Sequence, residues 1–157
     1  WQVPAEEVDS CVAALFEQYQ VWRMYCDPPY WQSWISTWQG RYGDKCVIEW
    51  WTNRRRQMSY ALERYDTAIK EGSLSHDGGE ALERHLGNAF KHELSQLDDE
   101  GLPLWLIRKE RSDSPNKIDL AMASVLSWEA REDAIASGVT DNPVFPVDFD
   151  SIVEDVA

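Results

Sequence analysis

Most of the signatures of a familiar catalytic apparatus are missing from this sequence. In 157 residues there are three cysteines and three histidines. Cys11, Cys26 and Cys46 form no CxxC, are odd in number and have unrelated spacings. They read as reduced cytosolic thiols, which excludes a disulfide frame or a zinc site. The histidines make no HExxH, no Ser or Cys sits in a GxSxG context, and no GxxxxGK[ST] marks a P-loop ATPase. Long apolar runs are also lacking, and none approaches the roughly 18 residues that span a membrane. The opening Gln2-Val3-Pro4-Ala5-Glu6-Glu7 has neither the basic start nor the apolar stretch of a signal peptide, so no export is expected. Basic residues are scarce, with 15 against 28 acidic ones and a formal net charge of -13. Taken alone, that argues against a nucleic-acid partner, because phosphate affinity comes largely from Lys and Arg.

What is present is an ordinary globular composition: 43% hydrophobic and 27% charged residues, which excludes a collagen-like repeat, a coiled coil or a disordered chain. The length fits one domain with a hydrophobic core. Hydrophobic periodicity predicts an amphipathic helix over 5–19, with Val8, Val12, Leu15, Phe16 and Tyr19 on one face. Val21 to Cys26 reads as a short buried strand ended by Asp27-Pro28-Pro29. A second helix covers 30–41, with Trp31, Trp34, Ile35, Trp38 and Tyr42 at helical spacing and Gly40 and Gly43 closing it. Lys45 to Trp51 is a second strand. A long helix at 55–71 turns Met58, Leu62, Tyr65 and Ile69 inward. Another covers 80–95 through Leu82, Leu86, Ala89 and Phe90. Leu104 to Arg108 is a third strand. Ser114 and Pro115 read as the cap and first position of a last helix that runs to about Ala136. Residues 1–137 are then the folded part and 138–157 an acidic, Pro-containing tail. Strands separated by helices imply an α/β sheet that is at least partly parallel, and three short strands are few for one.

Two carboxylates stand out. Asp27 ends a strand, where α/β sheets build their sites, although Asp before Pro is also a common turn residue. Asp119 falls near the start of the last helix, where its charge suits the helix dipole. Ala123, Ser127 and Ala130 share its face, a small-residue surface that would let the helix approach a sheet. Basic residues cluster at Arg54-Arg55-Arg56 and at Arg108-Lys109-Glu110-Arg111, each directly after a strand. They are either a solvated surface or contacts for phosphates. Trp50 and Trp51, just before the first cluster, either pack or stack on bases.

The ordered set of stretches resembles the terminase large subunit of tailed bacteriophages, in the form carried by phages of actinobacteria. The likeness covers roughly residues 1–135. It rests on Met24-Tyr25-Cys26-Asp27-Pro28-Pro29-Tyr30-Trp31 through Gly43, on Trp51-Thr52-Asn53-Arg54-Arg55-Arg56-Gln57-Met58, and on Ser75-His76-Asp77-Gly78 with His85-Leu86-Gly87-Asn88-Ala89. It ends with Ile107-Arg108-Lys109-Glu110-Arg111 leading into Lys117-Ile118-Asp119-Leu120-Ala121-Met122-Ala123.

The resemblance implies a ribonuclease H-like nuclease that cuts concatemeric double-stranded DNA during packaging. It implies a site holding two Mg2+ or Mn2+ ions, with Asp27 and Asp119 as catalytic metal ligands. Two such ions about 4 Å apart activate the attacking water and stabilise the leaving oxygen, and both prefer hard oxygen ligands. Arg54, Arg55, Arg56, Arg108, Lys109 and Lys117 would contact DNA. The portal and the terminase small subunit are the implied partners, with no membrane involved, and the host cytoplasm is the implied location. The family's first catalytic Asp, its first strands and its ATPase have no counterpart here, so weak or no cleavage is expected of this chain alone. The other reading is a non-catalytic prophage remnant or interaction module that docks on a partner supplying the missing strands.

Overall fold

The computed structural model describes residues 3–139. The expected acidic tail therefore lies outside the described residues from position 140 onward. The chain divides into two compact units, Trp1–Arg54 and Arg55–Ala157.

The first unit alternates helix and strand: α1 (Ala5–Gln18), β1 (Met24–Cys26), α2 (Gln32–Tyr42) and β2 (Val47–Glu49). Glu6 and Glu7 stand in the first turn of α1, where negative charge meets the positive end of the helix dipole. Val12 is buried in one cluster with Ile35, Trp38 and Val47, and Val8 and Phe16 pack against it. The tryptophan face of α2 is packing: Trp31 and Trp34 set their rings 6.1 and 6.3 Å from that of Trp38. Trp38 also donates its indole N–H to Asp9 Oδ1 at 2.8 Å, and Arg41 donates to the same oxygen at 2.7 Å. These two donors, the indole first, hold the Asp9 carboxyl below its usual range. Gly40 lies inside α2, and Gly43, at φ +94°, ends it.

β1 and β2 pair in parallel, with Met24 opposite Val47, Tyr25 opposite Ile48 and Cys26 opposite Glu49. Both strands are shorter than the runs 21–26 and 45–51, and β1 is half-buried rather than buried. The expected parallel pairing is present, with α2 as its crossover.

The second unit contains α3 (Arg55–Glu71), α4 (Glu80–Gly87), β3 (Phe90–Leu97), β4 (Pro103–Arg108) and α5 (Asp119–Ala136). α3 spans the predicted 55–71 and buries Met58, Ala61, Leu62, Tyr65 and Ala68. Ile69, expected inside, is 48% exposed; at 3.6 residues per turn Ala68 takes that inward position instead. α3 is tied to β4 by Trp105 N–H donating to Ser59 Oγ at 2.9 Å, and to α5 by Arg64 donating to both carboxylate oxygens of Glu129.

Three expectations are overturned here. The helix read over 80–95 stops at Gly87, and Phe90–Leu97 is a strand, antiparallel to β4. His92 and Leu94 alternate with exposed Lys91, Glu93 and Ser95, a period of two that a helix cannot accommodate. The turn is set by Asp98, whose Oδ1 accepts the N–H groups of Glu100 and Leu102, with Gly101 at φ +83°. The last helix starts at Asp119, not at Ser114. The Ser114 hydroxyl accepts the Asn116 N–H at 3.2 Å, a local turn that competes with capping. The small-residue face of α5 does not reach a sheet: Ala123 and Ser127 are exposed, while Ala121, Val125, Leu126 and Glu129 are buried.

The fold is thus mixed α/β, with a parallel and an antiparallel two-stranded sheet among the described residues. None of the described helices is long and apolar enough to cross a membrane. Ile35 is fully buried, so Ile35→Ala is expected to cost about 2–5 kcal/mol. Hydrogen exchange of the α2 and β2 amides should quicken by at least tenfold; unchanged protection would show that this cluster does not hold the first unit together.

Candidate functional site

Each of the two carboxylates singled out by sequence is placed by its own unit. Asp27 directly follows β1, and Thr52 stands three residues beyond β2. Between them the ladder is extended by Trp50 N–H donating to Cys26 O at 2.7 Å. The Asp27 carboxylate accepts the Thr52 hydroxyl at 2.7 Å on one oxygen and the Thr52 N–H at 3.2 Å on the other. The side chain is half-buried and closes the carboxyl-terminal ends of two parallel strands. A carboxylate oxygen accepts more than one donor or cation, so both oxygens keep a lone pair for a ligand.

Asp119 is the first residue of α5 and is exposed. The backbone around it is pinned from α4. Leu120 N–H donates to His85 Nδ1 at 3.0 Å, and Asn88 Nδ2 donates to Lys117 O at 3.0 Å. His85 therefore serves as the acceptor for an otherwise unpaired N–H of the first helical turn. His92 does not share the helix of His85, because it lies on β3.

Sequence reasoning did not single out Thr52, His85 or Asn88 as positioning residues. All three lie within the stretches that carry the resemblance, but partners 25, 35 and 29 positions away leave no local signal.

The chemistry of the donors suits a hard divalent cation, since Asp27 and Asp119 offer only oxygen. Among the described residues no three of His, Cys, Asp and Glu are gathered to hold a metal.

The basic residues divide into free and engaged ones. Among the described residues, Arg54, Arg55, Arg108 and Lys117 are exposed and have no ion-pair partner. Arg56 is tied to Asp99 on the β3–β4 turn and lies over the Tyr60 ring. Lys109 donates to Ser114 O at 3.2 Å. Trp50, beside the first cluster, is buried at 5% exposure and so packs.

The cysteines are free thiols. Cys26, next to Asp27, has its pKa pushed up to about 11 by burial.

With this geometry in place, the chain is found to be similar to the Gene 13 protein of Mycobacterium phage D29 and to the Gene 13 protein of Mycobacterium phage L5. Each is 29% identical over 145 residues, a match that takes in 87% of this chain and 23% of the relative. The chain thus spans under a quarter of the length of these curated relatives. No protein-family profile and no solved structure matches it.

Thr52→Val removes the shorter of the two hydrogen bonds to Asp27. A bond to a charged group contributes about 1.5–3 kcal/mol, and half-burial places this one at the low end. The expected loss is about 1.5 kcal/mol by urea denaturation, with Thr52→Ser restoring it; equal stability of Val and Ser variants would remove Thr52 as the anchor. The raised Cys26 pKa gives a second expectation. The folded thiol holds its proton to higher pH than the unfolded one at 9.0, so this stabilisation is complete below pH 9 and is lost as the pH rises towards 11. At pH 8.5 iodoacetamide should modify exposed Cys11 well before Cys26, as peptide mass spectrometry would show.

Proposed function

We propose that this chain is part of the nuclease portion of a phage DNA-packaging terminase large subunit, with a ribonuclease H-like fold. In the complete protein that portion cuts concatemeric double-stranded DNA, and Asp27 and Asp119 are carboxylate ligands of divalent Mg2+ or Mn2+. The observation that carries this reading is the position of Asp27. It caps the carboxyl ends of two parallel strands joined by a helical crossover, with its oxygens oriented by Thr52. Ligands of open α/β sheets bind outside that end.

Asp119 supports it, as the opening residue of a helix whose start is fixed by His85 and Asn88. The similarity to two mycobacteriophage proteins agrees with a phage source. When bound, the metals supply an activated water and stabilise the leaving oxygen. Thr52, His85 and Asn88 orient the ligands' backbone and side chains. Arg54, Arg55, Arg108 and Lys117 are free to meet phosphates that the acidic chain would otherwise repel. Portal and small subunit are the protein partners of this reading, and the host cytoplasm is its location.

The reading of a docking module that borrows strands has one observation in its favour: among the described residues β1 pairs only with β2. Co-purification with an ATPase-bearing chain separates the two.

Metal binding tests the first reading without relying on turnover. In amide NMR spectra, substoichiometric Mn2+ is expected to broaden Cys26 and Thr52, and also Leu120. Asp27→Asn should abolish the first effect and Asp119→Asn the second. Broadening confined to other acidic surfaces such as the Asp98–Glu100 turn would overturn the assignment. Plasmid nicking with Mn2+ by this chain should be weak or absent; robust cutting lost in Asp119→Ala would show a site complete without the family's first Asp.

A further inference from the structure

The first unit carries a second feature, at the end of its strands opposite Asp27. An open groove of about 580 Å³ lies where β1 and β2 begin, lined by Phe16, Tyr19, Trp22, Arg23, Tyr42 and Lys45 among others. Four of these six are aromatic and all four are half-exposed; Phe16 and Tyr42 also pack against the core cluster, while Tyr19 and Trp22 are not part of it. Phe16 and Tyr42 stack face to face at 3.8 Å, 6° from parallel. The Arg23 guanidinium lies over the Trp22 ring, 4.3 Å from its centroid.

Arg23 and Lys45 are exposed, and neither has an ion-pair partner among the described residues. Asp44, adjacent to Lys45 in sequence, makes no ion pair with it. In a chain of net charge -13, this aromatic groove is lined by two cations, Arg23 and Lys45. Arg41, nearby on α2, is by contrast neutralised by Asp9.

We infer that this groove binds single-stranded nucleic acid, with unpaired bases stacking on the aromatic faces around Trp22 and phosphates meeting Arg23 and Lys45. The combination of stacking platforms with cations is how proteins hold single strands without reading sequence. A guanidinium plane laid on an indole extends such a platform. A duplex offers its phosphates but keeps its base faces stacked inside, so it would use only the two cations. That difference selects single strand over duplex. The inference does not depend on the metal-ligand reading of Asp27 and Asp119, which concerns the other end of the strands.

The test uses the whole 157-residue chain and fluorescence anisotropy with three labelled probes: a dT 12-mer, a 12-mer of abasic sites and a 12-base-pair duplex. The dT strand should bind tightest at 50 mM salt. The double variant Arg23→Glu/Lys45→Glu should weaken it by at least tenfold and flatten the salt slope by about 1.4, two phosphates at roughly 0.7 each. Trp22→Ala should cost about five- to a hundredfold on dT and leave the abasic strand unchanged. Asp27→Asn/Asp119→Asn should bind dT as the parent does, which keeps this outcome separate from that of the metal reading. The charge variants alter exposed side chains, so circular dichroism should confirm an intact fold. The inference is overturned by no dT binding at 50 mM salt, by equal affinity for dT and abasic strands, or by a double variant that binds normally.

Discussion

Parallel pairing of β1 with β2 is the constraint on which the first unit depends. Parallel strands cannot be joined by a tight turn and need a crossover, and α2 is that crossover. The tryptophans of α2 follow from this, because a crossover helix must bury one face, and Ile35 and Trp38 bury it against Val12 and Val47. Parallel direction also sorts the chemistry. Both strands end on one side, where Asp27 meets Thr52, and both begin on the other, where Arg23 and Lys45 flank an aromatic groove. One topological fact therefore separates a carboxylate end from a cationic end across strands of only three residues.

The second unit depends on a different device, polar ties between elements distant in sequence, with partly buried hydrogen bonds at Ser59 and Glu129 and exposed ones at the start of α5. Ser59 accepts from the β4 backbone, Arg64 grips Glu129, and His85 and Asn88 hold the start of α5. Ser59 and Glu129 are buried, and a buried acceptor left without its donor costs more than the bond itself contributes, so these two ties fix register as well as adding stability. Asp119 has its position because α4 ends where it does, and α4 ends early because the hairpin β3–β4 begins at Phe90.

Charge is the property whose meaning changed most. A net of -13 reads as hostile to nucleic acid when spread evenly over a surface. It is not spread evenly: Asp9 is consumed by Trp38 and Arg41, Asp99 by Arg56 and Glu129 by Arg64. Among the described residues several cations have no ion-pair partner: Arg23, Lys45, Arg54, Arg55, Arg108 and Lys117. Which cations are free is a matter of side-chain pairing across the fold, and composition carries no record of it.

The elements legible in the sequence were those with a strong local signature. α1 and α3 show uninterrupted amphipathic spacing, and α2 has its aromatic face and Gly43. The run 90–97 was misread because Leu86, Ala89 and Phe90 continue the helical spacing of α4, while the alternation that makes β3 emerges only when β4 is there to pair with it. The start of α5 was misplaced because Ser114 and Pro115 imitate a cap, and only the folded chain shows that hydroxyl engaged with Asn116. Asp27 at a strand end and Asp119 at a helix start were placed there by local signals. The contact of Thr52 with Asp27, and those of His85 with Leu120 and Asn88 with Lys117, were not legible, since nothing local encodes a contact across 25 to 35 residues. By itself the sequence determined the α/β class, the packed aromatic face of α2 and the places of Asp27 at a strand end and Asp119 at a helix start, because local periodicity and turn chemistry are written in neighbouring residues. Tertiary structure alone decided which donor orients Asp27, what holds the backbone beside Asp119 and which described cations lack an ion pair, because those depend on which distant groups the fold brings within hydrogen-bonding reach.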